Sequence, residues 1–258
     1  MRVTASAVVA FTAFAGAAFA QPAINGATVN SRLWNDDPNS TFSSTVNYPT
    51  SVSFTDENFS GAGWANRHNW RMSGDGGTTA ANFSNGDSFS FSADVTISGT
   101  GDAEAGLNLS PWWSQDFDGQ FNMRTTDGEV AVFGGRLPFY SFTGSHGVNY
   151  VKGTTVNLGM VYTANSNTAG DPATIEYLYN DGTLYSSGSI AFDQGNPLEG
   201  FGEWGMLDFA QAGGYMTGFI QSGNDVTTTW GNINYIPTPA SAALLGLGGL
   251  VATRRRRS

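Results

Sequence analysis

The chain has 258 residues and a mass of 27.2 kDa, with no cysteine, two histidines and a formal net charge of −10. Five of the eleven basic residues, Arg2 and Arg254 to Arg257, sit at the termini and all 21 acidic residues lie between them, so the interior of the chain carries six basic against 21 acidic residues, a net −15. A surface of that sign repels nucleic-acid phosphates and anionic headgroups, the lack of cysteine removes disulfides and thiolate sites, and His68 and His146 alone cannot build a multi-histidine zinc centre, which leaves oxygen-ligated calcium as the one metal to consider.

The N-terminus reads Met1-Arg2, then an apolar stretch from Val3 to Phe19, then Ala18-Phe19-Ala20. A basic start, a short apolar helix and a small-x-small ending are the parts of a secretory signal, cut by signal peptidase after Ala20 to leave Gln21 as the new terminus. The alternative is an uncleaved anchor, for which the run is short against a hydrocarbon core of roughly 30 Å. Residues 21–235 then read as one domain, with no internal repeat and no dividing linker.

Asn30 to Tyr48 is rich in Asn, Ser and Asp and is either an extended lead-in or an early strand pair. From Ser88 the pattern is clear. Phe89, Phe91, Ala93, Val95 and Ile97 share one face of a strand, and Ser88, Ser90, Ser92, Asp94 and Thr96 share the other. Thr155 to Tyr162 and Thr174 to Tyr179 repeat this alternation, and no helical periodicity exceeds two turns. Asp127-Gly128 and Asp181-Gly182 supply the positive φ of tight hairpin turns. A dozen or more short strands are too many for one open sheet, so the expectation is an all-β, antiparallel, two-sheet β-sandwich.

Candidate chemistry concentrates in 108–118. Trp112 and Trp113 follow Ser110-Pro111, and two successive strand residues face opposite sides, so one indole is exposed or both lie on a loop. An exposed indole stacks on a sugar face, with Asn108, Gln115 and Asp116 near enough in sequence to bind hydroxyls. Trp204 is a second such candidate, as is Tyr140 near Arg136. The competing reading has these aromatics filling the core, and it is stronger still for Trp70 and Trp230. Asp116-Phe117-Asp118-Gly119 is a fragment of a calcium loop, extended only if Asp102 and Glu104 fold nearby, but Asp-Gly is equally a plain turn, the favoured reading. Glu199 and Glu203, with Asp208 further on, are the nearest approach to a glycosidase acid pair; solvated acids explain them better. His68 and His146 lack the context of a nucleophilic triad and read as surface or hydrogen-bonded loop residues. No catalytic residue is assigned, and the chain is read as a non-enzyme.

The strand order from Asp87 to Tyr185 resembles the concanavalin A-like lectin/glucanase (laminin G-like) jelly roll. The resemblance lies in Gly106-Leu107-Asn108-Leu109, the Asp127-Gly128 hairpin, Gly153-Thr154-Thr155-Val156-Asn157-Leu158, and the hairpin Glu176-Tyr177-Leu178-Tyr179-Asn180-Asp181-Gly182. It implies carbohydrate-binding capacity, while the Glu-x-Asp-x-x-Glu run of that fold's glycosidases is absent from the sequence.

After a spacer from Asn232 to Pro239, the C-terminus runs through an apolar stretch, Ala240 to Ala252, to Arg254-Arg255-Arg256-Arg257. A helix over those 13 residues spans about 20 Å, and four arginines stop on the cytoplasmic side. Residues 236–258 resemble the PEP-CTERM sorting tail: Pro237-Thr238-Pro239, a short transmembrane helix and an arginine cluster, with Thr238 standing where the family has Glu. The resemblance implies an exosortase-type sorting enzyme as partner and a membrane contact through the tail alone. The resulting expectation is an exported cell-surface or extracellular-matrix protein with a non-catalytic, carbohydrate-binding sandwich. A secreted polysaccharide hydrolase or lyase and a purely structural matrix component are the alternatives.

Overall fold

The computed structural model describes residues 21–58, 65–192, 204–219 and 224–238. In chain order the strands are β1 (Gly26–Asn30), β2 (Thr41–Asn47), β3 (Ser51–Glu57), β4 (Ala65–Ser73), β5 (Ser88–Gly99), β6 (Asp102–Ser110), β7 (Gln120–Arg124), β8 (Val130–Phe133) and β9 (Tyr140–Ser141). There follow a five-residue helix, α1 (Phe142–His146), and strands β10 (Thr155–Thr163), β11 (Thr174–Asn180), β12 (Leu184–Ala191), β13 (Gln211–Phe219) and β14 (Val226–Thr238). They form two antiparallel seven-stranded sheets. A front sheet has the order β1-β4-β13-β6-β7-β8-β9, and a back sheet has the order β12-β11-β10-β5-β14-β3-β2. The protein is a jelly-roll sandwich.

Alternation places the core. Phe89, Phe91, Ala93, Val95 and Ile97 of β5 are all buried between the sheets, and Val156, Leu158, Met160 and Tyr162 of β10 continue the layer. From the front sheet Trp70 and Met72 of β4, Leu107 of β6 and Phe121 and Met123 of β7 meet them. Trp70 and Trp230 pack edge to face with ring centroids 6.2 Å apart, and Trp230 Nε1 donates to the Gly106 carbonyl at 2.9 Å. Gly214 makes room for both indoles, because a Cβ there would lie 2.5 Å from each Nε1. Removing one such buried indole would cost about 3–5 kcal/mol. The hairpins turn at Gly128 (φ 78°) and Gly182 (φ 111°), where the Asp-Gly pairs require positive φ.

Three features differ from expectation. Residues 30–48 do not form a strand pair among themselves: β1, which ends at Asn30, joins the front sheet beside β4, and β2 pairs with β3, beyond Tyr48, in the back sheet. His68 is no loop residue. It lies fully buried on the inner face of β4, where Nδ1 accepts the Arg32 amide at 3.0 Å, so Nε2 carries the proton and donates to Asp56 Oδ2 at 2.9 Å. Phe42 stacks on the imidazole at 4.0 Å, and Asn66 Nδ2 also donates to that Asp56 oxygen. This polar tie joins the two sheets, and its inward-facing polar side chains break the hydrophobic pattern a sequence reader follows.

The third is the expected spacer. Asn232–Thr238 belongs to β14, with Pro237 opposite Phe89 and Thr238 opposite Ser88. A bulge between Gly231 and Asn234, with Asn232 at φ 48°, shifts the register and hides the alternation. Pairing with β3 has ended at Gly231, so Pro237 stands where β14 has a free edge, the place a strand tolerates proline. Gln21 Nε2 donates to the Ser88 and Thr238 carbonyls, which brings the two ends of the described sandwich together. The signal residues Ala18 and Ala20, and Pro239 with the apolar stretch and arginine cluster, lie outside the described residues. Among the described residues no helix is long and apolar enough to cross a membrane.

Candidate functional site

The outer face of the front sheet carries an unusual set of side chains. Alternation that sends Trp70 and Met72 inward sends Arg67, Asn69 and Arg71 of β4 outward, beside Tyr215 and Thr217 of β13, Glu104 and Asn108 of β6, and Gln120, Asn122 and Arg124 of β7. Register aligns them in rows. One row runs Arg71, Gly213, Asn108, Gln120; the next runs Asn69, Tyr215, Gly106, Asn122; a third runs Arg67, Thr217, Glu104, Arg124. Three of the six basic residues between the termini are here.

Outward side chains on a sheet are ordinarily wet, yet Asn69, Arg71, Asn108, Asn122 and Tyr215 are wholly buried. Gly106 leaves its place in the middle row without a side chain, and the Tyr215 hydroxyl reaches past it to donate to Asn122 Oδ1 at 2.9 Å. The Arg67 guanidinium lies over the Tyr215 ring, 4.4 Å from its centroid, and Nη1 donates to Thr217 Oγ1 at 3.2 Å.

What covers the face is the connection from β6 to β7. Trp112–Ser114 form a 3-10 turn after Pro111, and the chain then crosses back over the sheet to Gly119, whose φ is 74°. Side chains from the sheet hold the tip of this loop by its main chain. Arg67 Nε donates to the Asp116 carbonyl at 2.9 Å and Nη2 to the Phe117 carbonyl at 2.8 Å. Arg71 donates to the Gln115 carbonyl, Asn69 to that of Asp116 and Gln120 to that of Phe117. Asn108 Nδ2 anchors the return through the Asp118 and Gly119 carbonyls, at 2.7 and 3.0 Å.

The charges beneath are poorly compensated. Neither Arg67 nor Arg71 has a carboxylate within ion-pair distance among the described residues. Burial lowers the Arg71 pKa to about 9, the neighbouring Arg67 charge lowers it too, and Asp116 opposes both. Arg67 is lowered by burial as well, partly offset by Tyr215, Glu104, Asp118 and Asp116. Desolvation also raises the Glu104 carboxyl, against the pull of Arg67 and Arg124, and holds the Tyr215 phenol well above its ordinary value. Arg71 Nε, Gln120 Oε1 and Asn122 Nδ2 are buried with no hydrogen-bond partner. Three orphaned groups on one covered face are a concentration that structural polar residues rarely show.

The sequence-derived candidates fall around this face in different roles. Trp112 is 49% exposed on the 3-10 turn and Trp113 half-buried, their rings edge to face at 5.6 Å. Asn108 lies beneath the loop and spends its amide on loop carbonyls. Gln115 Nε2 donates to the Phe209 carbonyl, and Asp116 contributes its main-chain oxygen to Arg67 and Asn69. Asp118 Oδ2 accepts from Ser114 Oγ at 2.6 Å, whereas Asp102 and Glu104 stand at the opposite end of β6, Asp102 accepting from Thr125. No group of three or more metal-ligating side chains is assembled among the described residues.

Tyr140 is apart from this cluster, on β9, its hydroxyl 2.9 Å from His146 Nε2. Trp204 is half-buried, and its carbonyl accepts from Ala173. Asp208 accepts the Asn85 amide, and Glu199 and Glu203 lie outside the described residues. Sequence reading missed Arg67, Asn69, Arg71, Asn122 and Tyr215. The available signal was Arg67-x-Asn69-x-Arg71, a period-two cationic stripe in a strongly acidic chain.

No family model matches the chain, and no curated protein matches it. Solved structures similar in chain path include a family 7 alginate lyase in complex with substrate, at 12% identity over 73% of this chain and 78% of that one, with a TM-score of 0.42. Peanut lectin is similar at 13% identity over 82% and 98%, TM-score 0.32, and lectin II from Ulex europaeus at 9% identity over 83% and 99%, TM-score 0.34. These likenesses concern the path of the strands, and the chemistry of the face rests on this chain's own residues.

Proposed function

We propose that this chain is an exported protein of the cell surface or extracellular matrix whose sandwich binds polysaccharide without cleaving it, along the outer face of the front sheet. The carrying observation is the row structure of that face: forked amide and guanidinium groups, three of their atoms lacking partners, beneath a loop that carries the exposed indole of Trp112. Such groups match paired sugar hydroxyls, and an indole offers the apolar surface on which a pyranose ring stacks. Export is supported by the signal-like first 20 residues and by the tail resembling PEP-CTERM, with signal peptidase and an exosortase-type enzyme as processing partners.

Affinity electrophoresis of the full-length protein through a panel of polysaccharides tests this reading. Retardation by at least one polymer is expected, and Trp112→Ala should weaken it about tenfold, the contribution of one interfacial aromatic anchor. No retardation by any polymer would sink the binding reading and favour a purely structural role. One observation favours an enzyme instead: on the same face, burial raises the Glu104 carboxyl, as a general acid would require. Release of new sugar ends by the wild type, abolished in Glu104→Gln, would establish that alternative.

A further inference from the structure

Resting on the polysaccharide-binding reading, we infer that the loop tip from Gln115 to Asp118 is a displaceable cover over an anion seat built by Arg67 and Arg71, and that the ligand is a polysaccharide bearing oxyanion groups. Two guanidinium groups buried on one strand, without a carboxylate in contact, are an arrangement with an acceptor of the wrong charge. An anionic group adds full opposite charge and two oxygens for the guanidinium fork, neither of which a single main-chain carbonyl offers. The loop meets Arg67 and Arg71 with carbonyls only, those of Gln115, Asp116 and Phe117, at positions that anionic oxygens would fill better.

The loop also behaves as a partial anion. Asp116 and Asp118 both act on Arg67 through space, and Asp116 acts on Arg71 as well. Neither carboxylate is within ion-pair distance of an arginine, so the loop offsets the buried charge only in part. Arg71 Nε remains without a partner, as do Gln120 Oε1 at the far end of the same row and Asn122 Nδ2 in the next. An anionic polymer therefore competes with an internal, imperfect stand-in, and its binding has to replace the five side-chain hydrogen bonds to the carbonyls of Gln115, Asp116 and Phe117. An acidic domain that is to hold an acidic polymer needs cations outside ion-pair contact with its own carboxylates; Arg67 and Arg71 meet that condition among the described residues, whereas Arg124 is paired with Asp127 and Glu129.

The test is a comparison of ligands on the unaltered full-length protein: polygalacturonate, the same polymer with its carboxyls methyl-esterified, and dextran sulfate. Expected is binding to polygalacturonate about tenfold tighter than to its ester at low salt, the difference being one charge-assisted contact or more. Dextran sulfate distinguishes carboxylate from sulfate as the natural group. Equal binding of polygalacturonate and its ester would overturn the anion seat while leaving polysaccharide binding intact; failure of all three, together with the wider panel, would remove both.

Two variants address the cover. Asp116→Asn removes the one loop charge that acts on both arginines, so it should tighten polygalacturonate binding several-fold. Weaker binding in Asp116→Asn would show the loop tip to be part of the ligand platform and would overturn its role as cover. Arg71→Gln should abolish the preference for the charged polymer, with its melting transition recorded to confirm that it folds; retention of that preference in a folded Arg71→Gln would overturn the seat.

Discussion

The outer faces of the two sheets follow the same alternation of polar and apolar residues and come to opposite ends. On the back sheet, register lines up Thr45, Ser53, Thr229, Thr96 and Thr155 across five strands, and Ser43, Thr55, Thr227 and Ser98 across four. Their short hydroxyl side chains meet neighbour to neighbour: Ser53 with Thr229 at 3.1 Å, Thr55 with Thr227 at 3.0 Å and Thr96 with Thr155 at 2.7 Å. Each is a local pair, open to water at its rim. On the front sheet the outward residues are long and forked, they reach past positions occupied by glycine, and a loop shuts them from water. Polarity in a strand pattern thus marks a solvated surface or a covered site, and the length of the side chains with the glycines between them tells which.

The comparison is broken first by removing one hydroxyl from each face. Tyr215→Phe takes the partner from Asn122 Oδ1 beside an amide nitrogen already unpaired, and should lower stability by about 1–3 kcal/mol in urea unfolding, the cost of an orphaned buried group. A change near zero would mean that water reaches this face and that the loop does not seal it.

The next largest effect is in the response to pH. The folded-state pKa of Arg71, about 9, lies below the ordinary 12.5, so between those values the folded protein holds fewer protons than the unfolded chain and its stability rises with pH. The penalty for burying this charge is fully present below pH 9. Compared with Arg71→Met, the wild type should gain up to about 1.4 kcal/mol per pH unit above that midpoint. Parallel stability profiles for the two proteins from pH 8 to 10.5 would refute a strained charge at this position.

The smallest effect belongs to the back sheet. Thr229→Val replaces a half-exposed hydroxyl paired with Ser53, and should move stability by no more than about 0.5 kcal/mol in the same urea titration. A loss as large as that of Tyr215→Phe would erase the distinction between the faces.

The site was harder to read than the fold for a definite reason. β5, β10 and β11 are legible because each keeps one face apolar over seven or more residues, and the Asp-Gly turns punctuate them. β4 is not, because Asn66 and His68 point inward and Arg67, Asn69 and Arg71 are buried outward, so that no face of the strand looks like a core. Trp112 and Asn108 drew notice for residue type and nearness in sequence. The residues that share the face with Asn108 come from β4, β7 and β13, and only sheet register brings those strands together.

By itself the sequence determined the strand-built class, the excess of negative charge and the residues that turn each hairpin, because all of these depend on neighbours within a few positions. The tertiary structure alone decided that Asn232–Thr238 completes β14, that His68 pairs with Asp56 between the sheets, and that one polar face became a covered cationic seat. Those outcomes depend on which strands lie side by side and on what lies over them, and hydrogen-bond register and burial are properties of the assembled sheets that no local run of residues contains.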